Sequence, residues 1–164
     1  MKVLVFGAGG QIGGEVCRAA WPPHYAVLPL DENAVNITKN AAVTAMLARE
    51  TPDLAINLAA YTAVDRAESE PEAAWAVNCA GAAHVAAACD ESATPLIHLS
   101  TDYVFDGRKT EAYLEDDAVS PLNVYGRTGT YHFVGSGAVS WHGFADAIFN
   151  LAAPQLTACL QIED

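Results

Sequence analysis

KVLVFGAGGQIGGE, residues 2–15, sets a short, continuously apolar segment directly before a glycine-rich turn and the start of a helix. Continuous apolarity suits a parallel strand covered on both faces. Gly7, Gly10 and Gly13 give a G-x-x-G-x-x-G spacing at the junction. Gly7 permits a tight turn, Gly10 lets a pyrophosphate approach the backbone, and Gly13 lets helix and strand pack closely. The helix N-terminus then faces the phosphates. Such a turn can be purely structural. Placed after the first strand of a βαβ unit, it points to a dinucleotide.

Outward from this turn, strands and helices alternate. Residues 2–6 form the first strand and residues 11–20 a helix, which Trp21-Pro22-Pro23 stops. HYAVLPL (24–30) reads as the second strand, closed by Asp31. Thr38 can cap a helix running to Glu50, with Val43, Met46 and Leu47 on its inner face. DLAINLAA (53–60) reads as the third strand. Pro71 opens an alanine-rich helix to Cys89, and TPLIHLS (94–100) reads as the fourth strand. Residues 101–124 follow as a long irregular stretch, and loops of that length inside compact domains are usually functional. The order predicts an α/β fold, a Rossmann-type doubly wound parallel sheet. Its ligands lie beyond the carboxyl ends of the strands.

Acids outnumber bases 20 to 8, a formal charge of −12, which argues against nucleic acid or an anionic membrane as partner. Phosphates held by backbone N–H groups are not disfavoured. Cys17, Cys79, Cys89 and Cys159 show no CxxC spacing and read as reduced thiols. The histidines form no metal-ligand pattern. No apolar run reaches the roughly 18 residues of a membrane helix, and Met1-Lys2 leads straight into a strand. The expected compartment is the cytoplasm.

Two further features fall at strand ends. Asp31 lies at the end of strand two, where an acid typically holds the adenosine ribose hydroxyls. A solvated loop acid is the alternative. A carboxylate there would repel a 2′-phosphate. HLSTDYVFDG (98–107) puts Ser100 and Thr101 at the ligand edge, and PLNVYGRT (121–128) carries Tyr125 where a helix begins. A phenol has an ordinary pKa of about 10, and a nearby ammonium lowers it. A lysine at i+4 would supply that ammonium. Tyr125 can equally be a half-buried aromatic.

With MKVLVFGAGGQIG, NLAAYTAVDRAESEPEAAWAVN, HLSTDYVFDG and SPLNVYGRT in view, the chain resembles the dTDP-4-dehydrorhamnose reductases, extended short-chain dehydrogenases/reductases. The resemblance covers most of residues 1–128. It implies reduction of the C4 keto group of dTDP-4-dehydro-L-rhamnose to dTDP-L-rhamnose with NADPH or NADH. A nucleotide sugar is then the substrate, and a homodimer is allowed. By the same resemblance Thr101 would hydrogen-bond the keto oxygen and Tyr125 would protonate it. Gly7, Gly10, Gln11, Ile12 and Gly13 would line the pyrophosphate, and Asp31 the adenosine ribose. Ala59, Ala60 and Tyr61 would lie along the cofactor. Asn36 stands where the family usually has an aspartate near the adenine.

The chain departs from the family at Y-x-x-x-K, where it reads Tyr125-Gly126-Arg127-Thr128-Gly129. Its only lysines are Lys2, Lys39 and Lys109. GTYHFVGSGAVSWHGFADAIF (129–149) resembles a later family segment, near the carboxyl end. TYHFVG (130–135) reads as a strand, and Ser140 can cap a helix behind it. An internal deletion after Thr128 accounts for both. Residues 1–128 are then an incomplete dinucleotide-binding domain, and 129–164 a short strand–helix remnant of the substrate-domain region. Activity is expected to be low or absent. An inactive dinucleotide-binding module and a poorly folding, self-associating remnant are the other two readings.

Overall fold

The computed structural model describes residues 1–114 and 117–128. Four parallel strands form one sheet: β1 (Lys2–Phe6), β2 (Ala26–Leu30), β3 (Leu54–Asn57) and β4 (Leu96–His98), in the spatial order β2-β1-β3-β4. The predicted α/β parallel sheet is therefore present. The chain leaves β1 toward β2 and then crosses back to β3, so strand order reverses between β1 and β3. Their carboxyl ends define the crevice where such sheets bind ligands.

The apolar run of β1 is explained by cover on both faces. Val3, Leu4, Val5 and Phe6 are all fully buried. Their side chains alternate. Leu4 and Phe6 join Val43, Met46 and Leu47 of α2 (Asn40–Glu50) and Val85, Ala88 and Cys89 of α5 (Ala82–Glu91). Val3 and Val5 pack with Leu54 and Ile56 beside Val16 and Cys17 of α1 (Gln11–Arg18) and Trp21. Each such side chain contributes about 1.5–3 kcal/mol by leaving water. Pro29 lies on β2, an outer strand of the described sheet, where a missing N–H is tolerated.

Several predicted boundaries are corrected. The second strand starts at Ala26, because Tyr25 N–H closes a turn onto the Pro22 carbonyl at 2.9 Å. The third and fourth strands are shorter than 53–60 and 94–100, since pairing stops at Asn57 and His98. The first helix ends at Arg18, and the Trp21 indole N–H reaches back to the Val16 carbonyl at 2.8 Å. Thr38 is not the cap of α2. Lys39 occupies that position, while the Thr38 hydroxyl and N–H both turn to Asn36 Oδ1 at 2.6 and 2.9 Å.

The helix opened by Pro71 runs on to Glu91, as α4 (Pro71–Ala74), a π-helical stretch (Trp75–Gly81) and α5. Two short helices, α3 (Val64–Ala67) and α6 (Val124–Thr128), flank it, and a 3₁₀ turn (Asp102–Val104) interrupts the irregular stretch. The predicted strand at 130–135, the helix after Ser140 and Cys159 lie outside the described residues. Cys17, Cys79 and Cys89 are free thiols.

Candidate functional site

One cavity of about 1200 Å³ opens along the carboxyl ends of the strands. Gly7, Gly10, Gln11, Ile12, Gly13, Asp31, Ala59, Ala60, Tyr61, Thr101 and Tyr125 all line it. Residues far apart in sequence meet there because each follows a strand or heads α6.

The glycine turn is built by close backbone approach. Gly7 sits at φ +80°, and its N–H and that of Ala8 share the Leu30 carbonyl at 2.9 and 3.1 Å. A side chain at Gly13 would stand 2.1 Å from the Gly7 carbonyl oxygen. At Gly10 the nearest atom to such a side chain is that same oxygen, at 3.3 Å. Gly10 is the N-cap of α1 and offers no side-chain cap. The first N–H groups of α1 have no intrahelical acceptors, and Gln11, Ile12 and Gly13, which carry them, line the cavity. This combination fits a pyrophosphate.

Asp31 is exposed at the rim, and its Oδ1 accepts the Ala34 N–H at 2.8 Å. Beyond β3, Ala59 N–H donates to Asn57 Oδ1 at 3.1 Å. Asn57 is fully buried, and its Nδ2 lies 3.0 Å from His98 Nδ1. Since Oδ1 takes the Ala59 proton, Nδ2 donates to His98, which fixes the imidazole proton on Nε2. Burial holds the His98 pKa below its ordinary 6.5. As pH falls, the unfolded chain therefore binds the proton first. The stability contributed by neutral His98 is present above about pH 6.5 and is lost below it. Denaturant midpoints across pH 5–8 should fall on the acid side, and the His98→Gln variant should flatten that slope.

Tyr61 also lines the wall, but its hydroxyl donates to Glu70 Oε2 at 2.8 Å. Partial burial, then the Glu70 carboxylate, raise its pKa, so this phenol stays protonated. Thr101 caps the 3₁₀ turn: its Oγ1 accepts the Tyr103 N–H at 3.2 Å and lies 3.4 Å from Asp102 Oδ1. That longer bond leaves its proton free to be redirected.

Tyr125 stands in α6, its ring edge-on to Tyr103 with centroids 5.3 Å apart. Asn123 caps this helix by accepting the Gly126 N–H at 2.8 Å, and Glu68 accepts the Val124 N–H at 2.8 Å. No lysine lines the cavity among the described residues. Lys2 bonds the Glu50 carbonyl at 2.6 Å, below the amino end of the sheet. Lys109 is ion-paired with Asp117 and lies over the Tyr113 ring. Arg127 is exposed. Gly129, the place of the expected lysine, lies outside the described residues.

Sequence reading missed Asn57, Asn78, His98 and Glu68. Asn78 exchanges both backbone bonds with Tyr61, its Oδ1 accepting the N–H at 2.8 Å and its Nδ2 reaching the carbonyl at 3.0 Å. The same Nδ2 lies 3.5 Å from the buried Thr128 hydroxyl. A lone asparagine at a strand end, and another in an alanine-rich helix, were the available signals.

A parallel sheet with a glycine turn at its switch point defines a Rossmann-type α/β domain. The family described as RmlD substrate binding domain matches residues 1–129, and the chain belongs to that family. It is 42% identical over 128 residues to a dTDP-4-dehydrorhamnose reductase of Sinorhizobium fredii, covering 78% of this chain and 43% of the relative. It is 39% identical to the spore coat polysaccharide biosynthesis protein SpsK of Bacillus subtilis, over 77% of this chain and 45% of that one. The crystal structure of dTDP-4-dehydrorhamnose reductase from Bacillus anthracis in complex with NADP superposes with a TM-score of 0.75 at 36% identity, over 77% of this chain and 45% of that one. The chain thus spans less than half the length of these relatives. No described helix is long and apolar enough to cross a membrane.

Proposed function

We propose that this chain holds NADPH or NADH in the cavity at the strand ends and carries an impaired form of its family's activity, the reduction of dTDP-4-dehydro-L-rhamnose to dTDP-L-rhamnose. The observation that carries this is the convergence of the glycine turn, Asp31, the loop after β3, Thr101 and Tyr125 on one cavity. The nicotinamide, when bound, supplies the hydride. Gly7, Gly10, Gln11, Ile12 and Gly13 line the pyrophosphate, with the N–H groups at the start of α1 as its donors. Asp31 receives the adenosine ribose, and Ala59, Ala60 and Tyr61 flank the dinucleotide. Thr101 hydrogen-bonds the keto oxygen, and Tyr125 gives it a proton.

Tyr125 has to act without an adjacent ammonium, and that sets the expected rate. Losing a general acid–base partner costs roughly 10²–10⁴-fold. The reading takes residues 1–128 as the cofactor domain and 129–164 as a remnant of the substrate region, in keeping with a family match that ends at residue 129. It also takes the protein as cytoplasmic and able to pair as a homodimer. Nicotinamide fluorescence should show saturable binding. Keto-sugar turnover should be slower by roughly 10²–10⁴-fold than for the Sinorhizobium fredii relative. No binding of either dinucleotide would defeat the proposal.

A second reading is a dinucleotide-binding module without turnover. The ion-paired state of Lys109 favours it, since that lysine is held away from the tyrosine. Binding with no detectable turnover distinguishes it. A self-associating remnant is the third reading, and its mark would be concentration-dependent sedimentation without a cooperative melt.

A further inference from the structure

We propose that His84 of α5 is a positioning residue for the adenosine end of the cavity: from behind the wall it holds the turn after β2 in the shape that receives the ligand. The proposal rests on the dinucleotide reading above and names what keeps that site in form. Val35, Asn36, Ile37 and Thr38 line the cavity on the same turn as Asp31. The bonds that shape this turn are mostly local. Ala34 N–H donates to Asp31 Oδ1 at 2.8 Å, Val35 N–H to the Asp31 carbonyl at 2.9 Å and Lys39 N–H to the Asn36 carbonyl at 3.0 Å. Such bonds set the winding of the turn and leave it free to swing as a unit. Its anchor comes from elsewhere. The half-buried His84 places Nδ1 3.0 Å from the Ile37 carbonyl oxygen, 47 residues away in sequence. A carbonyl only accepts, so Nδ1 carries the proton and donates the bond.

The Ile37 side chain is seated on the same helix. Ile37 is buried in the core cluster with Val43, Leu47 and Val85. A Cβ at Gly81, three residues before His84 and so on the same helix face, would stand 2.8 Å from Ile37 Cγ1 and Cδ1. The bare surface of Gly81 and the ring of His84 thus hold one residue by its side chain and by its carbonyl. Gly81 closes the π-helical stretch, whose Val77 and Asn78 also line the cavity. Single π-helical turns are rare and gather at functional sites. One continuous helix therefore fixes the adenosine-end turn at Gly81 and His84, and the loop beyond β3 at Asn78.

Titration of His84→Leu and His84→Asn with NADH and ADP-ribose, beside amide hydrogen exchange, tests this. Leucine fills similar space without a donor, whereas the asparagine amide can take the place of Nδ1. His84→Leu should bind both ligands about three- to tenfold more weakly than the unmodified chain, the worth of one hydrogen bond. The amides of Val35, Thr38 and Lys39 should exchange faster in that variant. His84→Asn should recover most of the affinity and of the protection. A side chain that merely stabilised the fold would lower the urea midpoint without moving the affinity of the folded chain. Unchanged affinity in His84→Leu would overturn the proposal and leave the dinucleotide reading intact, and so would equal losses in the two variants. Should His84→Leu not fold, Gly81→Ala replaces it. Its methyl displaces Ile37 and should weaken ADP-ribose binding, and adding Ile37→Val, which removes the struck Cδ1, should restore part of it. Full affinity in Gly81→Ala, or no recovery in the double variant, would equally overturn the proposal. If the unmodified chain binds neither ligand, the dinucleotide reading and this proposal fall together.

Discussion

Replacing Gly13 with alanine is expected to abolish dinucleotide binding and to destabilise the fold by about 3 kcal/mol, the upper part of the usual range for overpacking. The added methyl would stand 2.1 Å from the Gly7 oxygen, 2.7 Å from the Gly7 carbonyl carbon and 2.9 Å from Ala8 Cα. All three are backbone atoms, so no side-chain rotation relieves the clash. Either α1 lifts off the turn or the turn opens. Both displace the N–H groups proposed to hold the pyrophosphate. Gly14→Ala is the matched control. There the nearest atoms belong to the exposed Arg18 guanidinium at 3.3 and 3.4 Å, which can swing away. Alanine is also the better helix former by about 1 kcal/mol. Urea denaturation and NADH titration of the two variants should therefore diverge, Gly13→Ala losing both stability and binding while Gly14→Ala keeps both.

Asn57→Leu should cost about 2–4 kcal/mol. Asn57 is fully buried and serves two partners at once, the Ala59 N–H and the His98 ring. A leucine of similar size leaves that N–H without its acceptor and removes the donor to His98, and each orphaned buried group costs about 1–3 kcal/mol. The loss falls at the sheet edge that carries Ala59 and Ala60, so ligand affinity should drop with stability. Asn57→Asp keeps the acceptor for Ala59 and should retain more of the fold. Thermal melts of the two variants check the order: if Asn57→Leu melts as the unmodified chain does, the buried pair is not what holds this edge.

Much of this fold was legible because its signals are local. Gly7 and Gly13 announce themselves by steric need, and the four apolar segments each yielded a strand. What failed was the length of those strands. Leu58, Ala59 and Leu99 are as apolar as the residues before them, yet after one last backbone bond each from Leu58 to Phe6 and from Leu99 to Asn57 the ladder ends and they line the cavity. Hydrophobicity reports burial, and a cavity wall can resemble a strand until its partners are known. The π-helical stretch was invisible for a related reason, since alanine-rich sequence favours any helical winding. Asn57 meets His98 across 41 residues, and Glu68 meets Val124 across 56. Neither pairing has a spacing that a linear reading could register. Tyr125 and Thr101 were found through a motif, whereas the residues that hold their surroundings carry none.

Asn78 has a consequence for how this protein opens. Its one side chain closes both hydrogen bonds of Tyr61 and touches the hydroxyl of Thr128, which in turn donates to the Tyr125 carbonyl at 2.8 Å. The loop beyond β3 and the tyrosine helix are therefore tied through one amide, beside the Glu68 bond at the start of that helix. Neither can fray alone without releasing the amide that secures the other, so they form one cooperative unit of local unfolding. A five-residue helix is far too short to persist by itself in water. Its lifetime is borrowed from a residue in another helix.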